Sequence, residues 1–186
     1  MHFSNSMILP AIRDLKDLDK VAQTDYEYIV LLNTHIGQLK SLVKMLRDHD
    51  KKVLLHADLV QGLKSDEYGA QFLCRDIRPA GLISTRKNVL LTAKKAKLIT
   101  VQRLFLLDSI ALESSYNMLE TIQPDCIEVL PGIIPHIIQE IYEKTNTPII
   151  AGGLIRTEKE VQAAIDAGAT AVTTSNKELW NRDHGL

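Results

Sequence analysis

Cysteine is scarce in this 186-residue chain: Cys74 and Cys126 are the only two, and they lie far apart. They form no metal-spacing motif and read as reduced core thiols, the usage expected of a cytoplasmic protein. Aromatic residues are also few, at 5% of the chain. No apolar run approaches the length that spans a bilayer, so no membrane partner is expected. The opening MHFSNSMILPAIR lacks the basic start and long apolar segment of a secretory signal. Nowhere do His, Cys and carboxylates gather at metal-ligand spacing, and neither a metal nor a cofactor is expected. A formal net charge of −1 says nothing by itself about nucleic acid. The 45% of hydrophobic and 24% of charged residues are the proportions of an ordered globular protein, and the length suits one domain over 1–186.

What is present is a regular alternation of short apolar runs with helical patterns. Strands are read at Met7 to Pro10, Tyr28 to Asn33, Val53 to Asp58, Gly81 to Thr85, within Val101 to Leu107, Cys126 to Leu130, Pro148 to Ala151 and Ala171 to Thr174. Between them, residues such as Ile36, Leu39, Val43 and Leu46 recur three or four apart, as one face of a helix requires. Other helices are read from about Tyr68 to Arg75, after Thr85 to about Lys97, from Ala111 to Ile122, after Pro135, and from Lys177. Thr157 with Glu160 matches a capping box, and Gly168 ends that helix. Near-continuous apolar strands suit a parallel sheet buried on both faces. Eight strand–helix units predict a compact (β/α)8 TIM-type barrel. Each unit averages only about 23 residues, against about 250 for a typical whole barrel, so its loops must be short. An open doubly wound sheet is the competitor, but no G-x-G-x-x-G turn follows the first strand.

Barrel ligands sit at the C-terminal ends of the strands. Those ends supply Arg13, Asn33, His56, Asp58, Ser84, Thr85, Arg103, Asp108, Glu128, Gly152, Gly153, Ser175 and Asn176. Gly152-Gly153 lets backbone N–H groups approach an anion, and Ser175 and Asn176 add short donors just before a helix. This pattern predicts a phosphate site; the plainer reading is a turn and a helix cap. Asp58 and Glu128 are acceptors suited to hydroxyls or to acid–base work. An inward Glu128 would need a partner, for which Arg103 is the candidate. His56 reads as a packed core residue, and His35 and His136 as surface or helix-end residues.

Residues 77–107 contain no Asp or Glu, yet carry Arg78, Arg86, Lys87, Lys94, Lys95, Lys97 and Arg103. Lys87 and Lys94 share a helical face by their spacing, as do Arg86 and Lys97. Such a stretch suits nucleic-acid phosphates, or it is a solvated helix paired with acidic neighbours. Phe105 is its only aromatic, so base stacking is not indicated.

The blocks Ile8 to Arg13, His56 to Leu59 with Gly62-Leu63, Gly81 to Thr85, Gln102 to Ser109, Glu128 to Gly132, Ile150 to Ile155 and Thr173 to Asn176 followed by Leu179-Trp180 resemble the glycerol uptake operon antiterminator regulatory family. The resemblance runs along almost the whole chain. It implies a phosphate-binding barrel used as a sensor of glycerol 3-phosphate. Such a sensor acts on the leader of a glycerol-utilisation mRNA to prevent premature termination. Carried onto this chain, Gly152, Gly153, Ser175 and Asn176 hold the phosphate, and Asp58, Arg103 and Glu128 face the glycerol part. Arg86, Lys87, Lys94, Lys95 and Lys97 become the RNA surface. The segment AKKAKLI (93–99) departs from the pattern in lacking a glycine to end its helix. No catalytic residue is implied. The alternatives are a sugar-phosphate isomerase or aldolase using Glu128 or Asp58 as base, and a phosphate sensor that contacts protein. A homodimer is plausible for an RNA reader, without an interface visible in the sequence.

Overall fold

The eight apolar runs become β1 (Ile8–Ile12), β2 (Tyr28–Leu31), β3 (Lys52–His56), β4 (Gly81–Ser84), β5 (Ile99–Phe105), β6 (Cys126–Leu130), β7 (Ile149–Gly152) and β8 (Ala169–Thr174). In this computed structural model, which describes residues 7–180, they hydrogen-bond in chain order and close as a barrel, β1 pairing with β8. The architecture is a (β/α)8 TIM-type barrel. Its helices are α1 (Leu18–Ala22), α2 (Ile36–Asp48), α3 (Glu67–Phe72), α4 (Lys87–Lys95), α5 (Ser109–Ile122), α6 (Pro135–Thr145), α7 (Glu158–Asp166) and α8 (Lys177–Trp180). Every residue of β1, β2, β4 and β7 is buried, as expected where side chains fill the barrel on one face and meet helices on the other. None of the helices is long and apolar enough to cross a membrane among the described residues. Residues 1–6, part of the segment read for a secretory signal, lie outside the described residues.

By internal contacts the chain divides into two units, Ala11–Gln102 and the residues up to Pro10 together with Arg103 onward. In the first unit, β2, β3 and β4 pair in parallel through registers such as Val30↔Leu54 and Leu55↔Leu82. The α2 stripe of Leu39, Val43 and Leu46 is buried, as its spacing predicts. His35 is a helix-end residue: its Nδ1 accepts from Gly37 N at 3.1 Å. The helix read around Tyr68 to Arg75 is instead α3 followed by a π-helical turn, Leu73–Ile77, stopped by Arg78 with φ +56°. α4 ends earlier than read. Lys97 N bonds Lys94 O at 3.0 Å and Leu98 N bonds Ala93 O at 3.0 Å, the paired bonds of a Schellman end. Lys97 has φ +60°, so a lysine occupies the left-handed position that glycine usually fills.

In the second unit, α5 begins at Ser109, two residues before the sequence reading. The Asp108 carboxylate causes this by accepting from Ala111 N at 2.7 Å. Asp108, listed among the strand ends as a pocket candidate, is thus a helix cap. Pro135 opens α6, and Ile138 and Ile141 are buried while Ile134 and Ile137 are half-buried. Thr157 and Glu160 form the expected capping box at α7, and Gly168, with φ +100°, follows its end. Both cysteines are free thiols. Burial pushes the Cys126 thiol up to about 12, which suits an inert core residue.

Candidate functional site

In the second unit the informative chemistry lies within β5, β6 and β8 and where β7 and β8 run out; Glu128 is not the strand-end residue it was expected to be. Glu128, in the middle of β6, is only 1% exposed. A carboxylate so buried needs partners in a low-dielectric setting. It has two: Oε2 accepts from Arg103 Nε at 2.6 Å, and Oε1 accepts from the Thr173 hydroxyl at 2.9 Å. Arg103, on β5, is the partner the sequence called for. Thr173, on β8, was missed as a participant. A lone Thr in an apolar strand carries no signal of its own; only the barrel brings it against β6.

The same cluster explains half of the glycine pair. A Cβ on Gly152 would stand 2.6 Å from Thr173 Oγ1 and 2.9 Å from Glu128 Oε1. Gly152 is therefore small because the Glu128–Thr173 contact occupies its side-chain space. Gly153 has a different reason. Its φ of +74° turns the chain away from β7, and it is exposed at the rim. The two glycines also dock the neighbouring loop, since Gly132 N donates to Gly152 O at 2.6 Å and to Gly153 O at 3.2 Å.

Beyond β8 the chain makes a tight, hydrogen-bonded turn. Thr174 Oγ1 accepts from Asn176 N at 3.1 Å, and Trp180 Nε1 donates to Thr174 O at 2.8 Å. Asn176 is engaged on both sides of its amide, with Oδ1 accepting from Glu178 N at 3.1 Å and Nδ2 donating to Arg156 O at 3.2 Å. Ser175 projects from this turn as an exposed residue. The rim thus presents a glycine with positive φ and an exposed serine, at the ends of two paired strands.

In the first unit, Asp58 stands in a single 3-10 turn after β3. Its Oδ1 accepts from Ser84 Oγ at 2.5 Å, and its Oδ2 accepts from Thr85 N at 2.7 Å and Thr85 Oγ1 at 2.9 Å. Ser84 Oγ in turn accepts from Arg86 N at 3.0 Å. This chain of bonds sets the entry into α4. His56 is buried at the end of β3. Arg86, Lys87, Lys94, Lys95 and Lys97 are all exposed. Arg86 has the extended backbone of an N-cap and Lys97 lies past the helix end, so the expected common face for those two is replaced by cations at opposite ends of a nine-residue helix. At the C-terminal end, Lys94 and Lys95 complement the helix dipole; at the N-terminal end, Arg86 and Lys87 oppose it. Among the described residues no group of three His, Cys, Asp or Glu is placed to hold a metal.

Residues 8–180 match the family of glycerol-3-phosphate responsive antiterminators. The chain belongs to that family. A crystal structure of the glycerol uptake operon antiterminator regulatory protein of Listeria monocytogenes is similar at 51% identity and a TM-score of 0.95, covering 97% of this chain and 98% of that one. A glycerol uptake operon antiterminator-related protein of Thermotoga maritima is similar at 30% identity and a TM-score of 0.83, over 95% and 98% of the two chains. Uncharacterized protein YgcP of Escherichia coli (strain K12) is 32% identical over 173 residues, 93% of this chain and 91% of that protein. Aldolase structures at 12–14% identity share the barrel, a likeness of fold alone.

Proposed function

We propose that the second unit binds glycerol 3-phosphate at the β7 and β8 ends and that binding controls attachment to the leader of a glycerol-utilisation mRNA, preventing premature termination. The carrying observation is the exposed Gly153–Ser175 rim together with the cluster of buried Glu128 and Thr173 and partly exposed Arg103. Backbone N–H groups at Gly153 and Ser175, with the Ser175 hydroxyl, receive the phosphate. Gly152 keeps the floor open, and Asn176 holds the turn that presents Ser175. Arg103, positioned by Glu128, supplies positive charge and reaches the glycerol hydroxyls. Asp58 acts at one remove, by ordering Thr85 and the start of α4. With both its oxygens engaged by Arg103 and Thr173, Glu128 suits a binding role better than that of a general base.

Arg86, Lys87, Lys94, Lys95 and Lys97 form the RNA contact, through phosphate neutralisation. Ligand binding favours the RNA-competent state by binding that state more tightly. Thermal melting with glycerol 3-phosphate, glycerol and inorganic phosphate tests the ligand. At a hundred times its dissociation constant the ligand adds about 2.7 kcal/mol of stability. A comparable shift with inorganic phosphate alone would refute glycerol 3-phosphate as the specific ligand. Filter binding of the leader RNA across a salt series tests the partner. Affinity that falls steeply with salt, and falls again in the variant Lys94→Glu/Lys95→Glu/Lys97→Glu, supports the reading; unchanged binding in that variant removes α4 as the contact.

A further inference from the structure

The second unit leaves large apolar side chains in water at or after the ends of three consecutive strands. Leu107 is 84% exposed, Ile110 77% and Leu154 56%, and Phe105 and Ile133 are exposed beside them. Phe105 ends β5, Leu107 and Ile110 follow it into the first turn of α5, and Ile133 and Leu154 follow β6 and β7. The loops are bound edge to edge: Leu106 N donates to Leu130 O at 2.8 Å, and Gly132 N to Gly152 O at 2.6 Å. The chain segments that carry the five side chains are therefore neighbours along one rim. Leu154 also has φ +62°, a left-handed backbone unusual for a leucine. Folding of one chain gains nothing from holding that residue out in solvent.

The rim's composition narrows the occupant. Residues 104–107, 130–135 and 152–155 contain no charged side chain, and the carboxylate of Asp108, between Leu107 and Ile110, is turned to the Ala111 N–H as a helix cap. With Arg156 at its edge as an exposed cation, this surface offers little positive charge to nucleic-acid phosphates. An uncharged apolar surface meets no like-charge repulsion when it faces its own copy, as a two-fold interface requires. The area agrees. At ordinary side-chain sizes these exposures amount to roughly 500 Å² of apolar surface, near the upper end of what a monomer leaves open. That is close to the apolar share of the ~800 Å² each partner contributes to a standard interface.

We propose that this rim is the face through which two copies of the chain pair, with Leu107, Ile110 and Leu154 at its centre. The proposal goes beyond the sensing role and does not rest on it.

Light scattering after gel filtration, with ligand-free full-length protein from low micromolar to several hundred micromolar, tests it. The unaltered chain is expected at twice its monomer mass of 20.8 kDa. The variant Leu107→Glu/Ile110→Glu places acids on both sides of the two-fold and should dissociate at least about a hundredfold more readily. Both positions are exposed, so its circular dichroism and melting as a monomer should remain those of a folded barrel. Leu154→Asp provides an independent second variant with the same expected outcome. Lys40→Glu/Lys44→Glu, exposed on α2, should remain dimeric. A monomeric unaltered chain throughout that range overturns the proposal, whether or not the rim then captures vesicles or another protein. Dimers that survive both rim variants overturn it as well. Failure of the unaltered, dimeric chain to bind glycerol 3-phosphate would count against the sensing role and leave this interface standing.

Discussion

Glu128, in the middle of β6, and Asp58, just past β3, are both carboxylates the barrel must satisfy, yet the two units use them in opposite ways. Glu128 is sealed in the barrel and held by one guanidinium and one hydroxyl. Asp58 is only half-buried and accepts from Ser84 and Thr85, all neutral donors. Burial decides the difference. A sealed carboxylate needs an opposite charge, whereas a partly solvated one is satisfied by short neutral donors and water. The Glu128 cluster is therefore expected to be intolerant of change. The Asp58 cluster sets the entry into α4.

Breaking each cluster should show that contrast. Replacing Arg103 with Met leaves the Glu128 charge buried without its cation, and a loss of about 3–5 kcal/mol is expected in denaturant unfolding. A loss under 1 kcal/mol would mean that Glu128 does not need Arg103. Gly152→Ala pushes a methyl into Thr173 and Glu128, an overpacking loss of about 1–3 kcal/mol, with weaker binding of glycerol 3-phosphate by calorimetry. Asp58→Ala should be milder, about 1–2 kcal/mol, and should alter RNA affinity through α4 more than it alters ligand affinity. Equal losses in Arg103→Met and Asp58→Ala would erase the distinction between the clusters.

Two smaller effects sharpen it at helix ends. Lys97→Gly relieves the left-handed strain at the end of α4 and should raise stability by about 0.5–1 kcal/mol in chemical denaturation while reducing RNA affinity. Stability and proposed function then move in opposite directions at one residue. At α7, hydrogen bonds from Arg156 N, then from Thr157 N and its hydroxyl, hold the Glu160 carboxyl below its ordinary value. A group depressed in the folded state stabilises above its unfolded pKa, and that contribution is lost as pH falls through the folded value. Glu160→Gln should therefore lower the melting temperature slightly at neutral pH and flatten its decline in acid, as read by melting curves across a pH series.

Much of this was legible in the residues. Eight apolar runs at short intervals indicate the barrel, because parallel strands buried on both faces must be continuously hydrophobic. The α7 capping box and the α2 stripe follow from local spacing, and the Arg103–Glu128 pairing from the requirement that a buried charge be matched. The reason for Gly152 was not legible. Its neighbours Glu128 and Thr173 are far away in the chain, and no local pattern announces them. The shared face of Arg86 and Lys97 was misread because the residue that ends α4 is a lysine.

Local chemistry along the chain thus determined the strand and helix alternation, the caps and the charge asymmetry of residues 77–107, since each depends on neighbours within a few residues. Only the tertiary structure decided which glycine makes a turn and which makes room. It also decided that Thr173 completes the Glu128 cluster and that the segments carrying the exposed apolar side chains are neighbours along one rim. Those outcomes depend on parallel strands lying side by side, and strand pairing joins residues whose separation in sequence leaves no periodic trace.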